Sequence, residues 1–270
     1  MLSLFEPGLG QIYNGQVRKG LIFLVFPLFF LPVLFFFLNN NRILYFLIAF
    51  ALLTTFYYFI AIGDAIYTAR KFKTEYSLKK CNKLIIYLGV IVLVFLANTT
   101  ISDYVKNNYV QAYKIPASSN EPTLLIGDHI VVDRRVPSRN PKRGSLIVFE
   151  FPEDPKKDFV KRVVAISGDT VEIRDKLLII NGEPIKETYV IYHDTTVFSA
   201  SQNPRDNIGP ITVPKNACFV LGDNRDKSYD SRFWGFVDNA KIKGIVKSIY
   251  WSWDNQKATV RWNRIGETVQ

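Results

Sequence analysis

From Leu21 to Leu38 the chain reads LIFLVFPLFFLPVLFFFL, a run without a single charge. At about 1.5 Å per residue, a helix of this length comes close to crossing a hydrocarbon core of roughly 30 Å. Two more runs follow, Ile43 to Ile62 and Leu84 to Ala97, the latter extendable toward Ile101. Each is long enough to span, and Pro27 and Pro32 are expected to kink the first. Buried core helices of a soluble protein are the alternative. A cleaved secretory leader is the other reading of the N-terminus, but its apolar part is about 7–15 residues long and ends at small residues, and Leu21 to Leu38 is longer and bulkier than that. Beyond Ser102 charges return every few positions, with regular Gly and Pro punctuation. The expected organisation is a membrane region over residues 1–101, with helices near 21–38, 43–62 and 84–101, and a water-facing domain over 102–270.

Basic residues set the expected orientation. Arg70, Lys71, Lys73, Lys79, Lys80 and Lys83 crowd the second connection, whereas Asn39 to Arg42 carries one charge. Basic loops stay in the cytoplasm, so the N-terminus, with Arg18 and Lys19, is expected inside and everything after about Ser102 outside. The net charge of +10 fits this layout: nine basic residues face three acidic ones before Ser102, and 25 face 21 after it. Topology and anionic lipid headgroups explain most of the excess, and nucleic-acid binding is not required.

Cys81 and Cys218 fall on opposite sides of the membrane in this reading, and His129 and His193 are far apart, so no metal site or cofactor is expected. The glycine-spaced stretch Pro7 to Gly20, PGLGQIYNGQVRKG, follows no strand and is not a phosphate loop; a tight interfacial turn is expected. Asp64, near the cytoplasmic end of the second span, is expected to be exposed to headgroups.

The exported part reads as β structure. IGDHIVVD, SLIVFEF, FVKRVVAI, TVEIRDKLLIING, CFVLGD and KGIVKSIYWSW are β-branched or aromatic runs bounded by turn residues. Asp194 to Pro210, rich in Thr, Ser, Asn and Asp, reads as an exposed loop. The fold class expected is a mainly β exported catalytic domain preceded by a transmembrane α-helical region.

A hydrolase without a usable histidine or metal has to activate its nucleophile otherwise, and serine with a neutral lysine is one solution. Lysine is a poor base at its ordinary pKa near 10.4, so it needs an apolar surrounding. Lys161 lies within Phe159-Val160-Lys161-Arg162-Val163-Val164-Ala165, where strand alternation puts Lys161 and Arg162 on opposite faces, one buried and one exposed. The alternative is that both are edge-strand charges that discourage aggregation.

Four stretches then carry a resemblance. Ile115 to Leu124, IPASSNEPTL, resembles the first catalytic box of the bacterial type I signal peptidases, with Ser119 on the nucleophile. Gly127-Asp128-His129 and Val132 are similar to the strand that follows, which makes His129 structural. Lys142-Arg143-Gly144 with Val148-Phe149 resembles the next box, with Ser145 in place of Asp. Lys161 to Asp169, KRVVAISGD, resembles the box that supplies the general-base lysine, and Gly222 to Gly235, GDNRDKSYDSRFWG, resembles the last box nearly residue for residue.

The resemblance implies a membrane-bound serine endopeptidase that removes N-terminal signal peptides from secretory precursors, with its catalytic domain on the outer side of the bacterial inner membrane. It implies Ser119 as nucleophile and Lys161 as general base, Ser228 orienting the Lys161 amine, an Asp230–Arg232 ion pair buttressing the site, and Arg162 in support. The Ser119 backbone N–H is the expected oxyanion donor. Two positions depart from the family pattern: Ala117 stands where a serine usually helps bind the oxyanion, and Asn120 where methionine is common. These departures motivate an alternative, a weak or inactive scaffold that binds precursors or partner proteins. A self-cleaving regulator with Ser-Lys chemistry is disfavoured, because no DNA-binding helical module is evident. Trp234, Trp251, Trp253 and Phe233 are expected either at the membrane interface or in the core.

Overall fold

The computed structural model describes residues 2–29, 43–71, 82–135 and 141–269. Contacts divide the chain into two units, Met1–Lys106 and Asn107–Gln270.

In the first unit, helices α1 (Leu9–Tyr13) and α2 (Val17–Val25) form a hairpin, and α2 passes into a 3-10 turn over Phe26–Phe29. Pro27 sits in that turn, where its ring denies the chain an α-helical N–H. The remainder of the first expected span, with Pro32, lies outside the described residues, as do Lys73, Lys79, Lys80 and Cys81. Helices α3 (Ile43–Lys71), from Ile48 onward, and α4 (Leu84–Asn108) are long and apolar enough to cross a membrane. No residue of α4 is buried by protein, and Leu84 and Ile85 are 74% and 75% exposed. Such uncovered apolar surface fits membrane association.

The Pro7–Gly20 stretch is not the simple turn expected from its glycines. Its two helices are docked on α3 through buried amides: Gln11 Nε2 donates to the Ala61 carbonyl at 2.7 Å, and Asn14 Nδ2 to that of Ala65 at 2.8 Å. Polar side chains bridging apolar helices are a recurrent device where water is scarce. Gly10 lets the helices approach, since a Cβ there would lie 2.9 Å from Ala65 Cβ and 2.3 Å from Ser3 Oγ. Asp64 likewise differs from expectation: it pairs with Lys19 at 2.5 Å and accepts from Gln11 at 3.1 Å. Sequence spacing cannot show this, because both partners are more than forty positions away.

The second unit is built on two antiparallel sheets. The larger has the order β1-β2-β11-β3-β4-β9-β10, with β12 (Thr259–Val260) paired to β11. Its strands are β1 (Val110–Lys114), β2 (Asp128–Asp133), β3 (Leu146–Phe151), β4 (Asp154–Ile166), β9 (Ala217–Leu221), β10 (Val237–Asp238) and β11 (Ile242–Asp254). The smaller has the order β7-β6-β5-β8, made of β5 (Thr170–Arg174), β6 (Leu177–Ile180), β7 (Glu183–Pro184) and β8 (Ile208–Thr212).

Both faces of the larger sheet are covered around β3, β4 and β9. Leu146 and Val148 enter one core cluster while Ile147 and Phe149 enter another, and Phe219 and Leu221 face away from Cys218 and Val220 in the same manner. This is why SLIVFEF and CFVL read as continuous apolar runs rather than alternating ones. The stretch expected as an exposed loop, Asp194 to Pro210, ends in β8 and is tied down by ion pairs, with Arg205 and Asp206 buried and Arg205 reaching Asp194 at 2.9 Å.

Candidate active site

The turn after β1 carries Ser119, and the middle of β4 carries Lys161. The Lys161 amine donates to the Ser119 hydroxyl at 2.6 Å. Lys161 is 4% exposed, and burial is the main reason its pKa falls to about 8; Asp230 and Asp223 oppose the fall, and Arg232 adds to it. Both groups line a cleft of about 360 Å³ between the stretch from Tyr113 to Ala117 and the β4 residues Asp158 to Lys161, with Tyr229 at its side. A larger cavity, about 470 Å³, belongs to the first unit and is lined by residues such as Leu2, Tyr13, Ile62 and Ile66; among the described residues its lining holds no carboxylate, lysine or histidine.

Ser119 is held from behind by the loop after β9. Asn224 donates its backbone N–H to the Ser119 carbonyl and its Nδ2 to the Ser118 carbonyl, both at 3.1 Å. Gly222 passes so close that a Cβ would sit 2.3 Å from the Ser119 carbonyl oxygen, which only glycine allows. The Gly222 N–H is in turn accepted by the Asp230 carboxylate at 3.0 Å.

Asp230 and Arg232 form the expected pair, with Nε to Oδ1 and Nη2 to Oδ2 both at 2.8 Å, and both residues are buried. Burial alone would raise the Asp230 pKa, but the adjacent guanidinium and the hydrogen bonds that the carboxylate accepts together outweigh it and hold the carboxyl low. Arg232 also donates to the carbonyls of Arg205 and Arg225, so a charge that costs much to bury has its donors satisfied.

Two expectations are corrected. Strand alternation predicted that one of Lys161 and Arg162 would be exposed, yet Arg162 is 1% exposed. The reason is the cover on both sheet faces and a bidentate partner, Asp223, at 2.8 and 2.7 Å. Gly144 O accepts from Arg162 at 2.6 Å and the Tyr189 ring lies 3.9 Å from the guanidinium carbon. Ser228 does not orient Lys161 in this structure: its hydroxyl is buried beside Gly222 and makes no hydrogen bond to the amine. The residues whose parts in the site the sequence reading missed are Thr123, Tyr189, Asp223 and Asn224. Asp223 and Asn224 lie inside a recognised motif but carry no role readable from it, and Tyr189 gives no signal at all.

The departures from the family pattern also find places. Ala117 lines the cleft, and Asn120 is buried, with Nδ2 donating to the Val160 carbonyl at 2.7 Å. Trp234 packs against Phe149 and Phe151 in the core, whereas Trp251 is 37% exposed.

A family model described as signal peptidase, peptidase S26, matches residues 84–251. The chain belongs to the signal peptidase family. Relatives include signal peptidase I of Aquifex aeolicus (strain VF5), 35% identical over 212 residues, covering 59% of this chain and 81% of the relative. Signal peptidase I P of Bacillus subtilis subsp. natto is 30% identical over 188 residues, covering 69% of this chain and 95% of the relative. A crystal structure of a signal peptidase I from Enterococcus faecalis V583 is 35% identical, covers 39% of this chain and 95% of its own, and superposes with a TM-score of 0.32. The family match begins at Leu84, so the hairpin and α3 precede the part shared with the signal peptidase family.

Proposed function

We propose that this signal peptidase family member removes N-terminal signal peptides from secretory precursors, with Ser119 as nucleophile and Lys161 as general base. The observation that carries the reading is the 2.6 Å contact between a buried lysine and a serine hydroxyl. With a pKa of about 8, roughly one Lys161 in ten is neutral at pH 7, about 300 times more than at the ordinary lysine value.

In this mechanism neutral Lys161 takes the Ser119 proton as Oγ attacks the scissile carbonyl carbon. The tetrahedral intermediate places negative charge on the former carbonyl oxygen, for which the Ser119 backbone N–H is the donor. One such donor is worth about 2.7–4 kcal/mol of barrier, so the missing hydroxyl at Ala117 has to be tolerated or replaced. Collapse breaks the C–N bond, and the Lys161 ammonium protonates the leaving amine. Lys161 then deprotonates the water that hydrolyses the acyl-serine, returning both groups to their starting state. Asp230, Arg232 and Arg162 serve as supports: Asp230, held by Arg232, through Gly222, and Arg162 through its hold on Asp223.

We infer further that the protein is multi-pass, with Arg18, Lys19, Arg70, Lys71 and Lys83 on the cytoplasmic side and the β unit outside. An extended precursor fits the cleft as an added strand, its alternate side chains entering small pockets. Neither nucleic acid nor a cofactor has a part in this scheme. Purified full-length protein in detergent, given a model secretory precursor, is expected to cut at the small-residue site, and Ser119→Ala and Lys161→Ala proteins with the same melting behaviour are expected to be silent. Cleavage by either variant would overturn the dyad; silence of all three on several precursors would favour a binding scaffold.

A further inference from the structure

Ser119 and Asn120 are neighbours in the turn, and Val160 and Lys161 are neighbours on β4. Two hydrogen bonds cross the gap between these segments side by side: Lys161 Nζ to Ser119 Oγ at 2.6 Å, and Asn120 Nδ2 to the Val160 carbonyl at 2.7 Å. β9 pairs with β4 only from Arg162 onward, while β3 pairs with it from Asp154. The segment that ends in Lys161 is therefore held by one strand, and the Asn120 amide adds a second tie.

The chemistry of Asn120 argues against a purely stabilising role. The residue is 3% exposed, and its Oδ1 is buried without a partner. A buried unpaired acceptor costs stability, which an apolar side chain of similar size would avoid.

We propose that Asn120 is a positioning residue for the Ser119–Lys161 pair: its amide N–H, bound to the Val160 carbonyl, sets the distance between the nucleophile's turn and β4. This inference rests on the peptidase reading above. Without the tie the turn and the strand are free to separate, and a misplacement on the order of 1 Å costs about 10²-fold in rate.

The test compares full-length wild type, Asn120→Met and Asn120→Ala on one secretory precursor in detergent, with Ser119→Ala and Lys161→Ala alongside, and records kcat, KM, the pH profile and the melting temperature. Asn120→Met is similar in size but has no donor. The expected result is a melting temperature close to wild type, since the unpaired Oδ1 is removed while the Val160 carbonyl loses its donor, with KM within about twofold and kcat lower by about 10- to 100-fold. The acidic limb of kcat/KM is expected to move to higher pH as a loosened Lys161 gains water. Asn120→Ala guards against a size effect and is expected to show the same loss of kcat. If both variants keep kcat and the pH limb of wild type, Asn120 does not position the pair, and the dyad reading stands. If they lose kcat only in proportion to folded protein, with the pH limb unmoved, the role is structural and the proposal fails. Cleavage by Lys161→Ala would instead remove the reading on which it rests.

Discussion

The Lys161 amine meets the Ser119 hydroxyl at 2.6 Å although 42 positions separate them and they belong to different elements. Neither segment makes this contact alone. The Ser119 turn is pinned by Asn224 and pressed by Gly222, and β4 is paired with β3 at Lys161 and with β9 from Arg162 onward. The Asp230 carboxylate reaches the pair through the Gly222 N–H. The Ser119–Lys161 contact is thus the meeting point of three segments, each held by buried hydrogen bonds.

Activity should follow the proton on Lys161. With a pKa of about 8 set mainly by burial, kcat/KM is expected to rise tenfold per pH unit at acidic pH and to level off above about pH 8. Steady-state kinetics between pH 5 and 10 checks this; a profile already flat at pH 6 would contradict it.

The same group governs stability. Lys161 is depressed in the fold and ordinary in the unfolded chain, so between about pH 8 and 10.5 the unfolded state binds the extra proton. Stability therefore rises with pH across that window, and below about pH 8 the fold bears the whole cost, on the order of 3 kcal/mol. Lys161→Met is expected to be inactive yet more stable than wild type at pH 7 by about 1–3 kcal/mol. Urea unfolding of the two proteins at pH 7 measures the difference.

Asp223 neutralises the buried Arg162 through two hydrogen bonds and also accepts from Thr123 at 2.6 Å. Asp223→Ala removes the carboxylate that meets the buried Arg162 guanidinium through two hydrogen bonds, which is expected to cost about 3–5 kcal/mol. Thermal or urea unfolding checks this; a cost under about 1 kcal/mol would place the pair among weak ionic contacts.

Gly222→Ala adds one methyl group where the Ser119 carbonyl oxygen and the Ser228 hydroxyl each lie 2.3 Å from the new atom. The backbone carbonyl cannot swing aside as a side chain can, so the turn has to move. The expected result is a fall in kcat of about 10²-fold with a smaller change in KM, read by steady-state kinetics on folded protein.

How far the sequence carried the reading depends on the range of the interactions involved. The runs that became β2, β3, β4, β9 and β11 were legible because local β-branched and aromatic content agrees with their burial. TVEIRDKLLIING hid a hairpin: it folds back at Asp175 and Lys176, which adopt φ of 48° and 71°. Asp-Lys is not the Asn-Gly or Asp-Gly pair that announces such a turn. β1, VQAYK, lies at the sheet edge beside β2 and is a five-residue stretch with a single β-branched residue, too short to stand out. Ser119 and Lys161 were found through the order of the motifs. The burial of Arg162 and the placement of the Ser228 hydroxyl beside Gly222 were not, because the first depends on a partner 61 positions away and the second on the path of Gly222. The hairpin amides that hold α1 to α3 had no local signature either.

The most direct test of the central claim is covalent. Full-length protein mixed with a secretory precursor, quenched in acid within its first turnover and digested, is examined by mass spectrometry for the acyl-enzyme. The account predicts a signal-peptide acyl group on the peptide carrying Ser119, absent from Ser119→Ala and Lys161→Met proteins. An acyl group on another residue, or precursor cleavage that proceeds in Ser119→Ala protein, would contradict it.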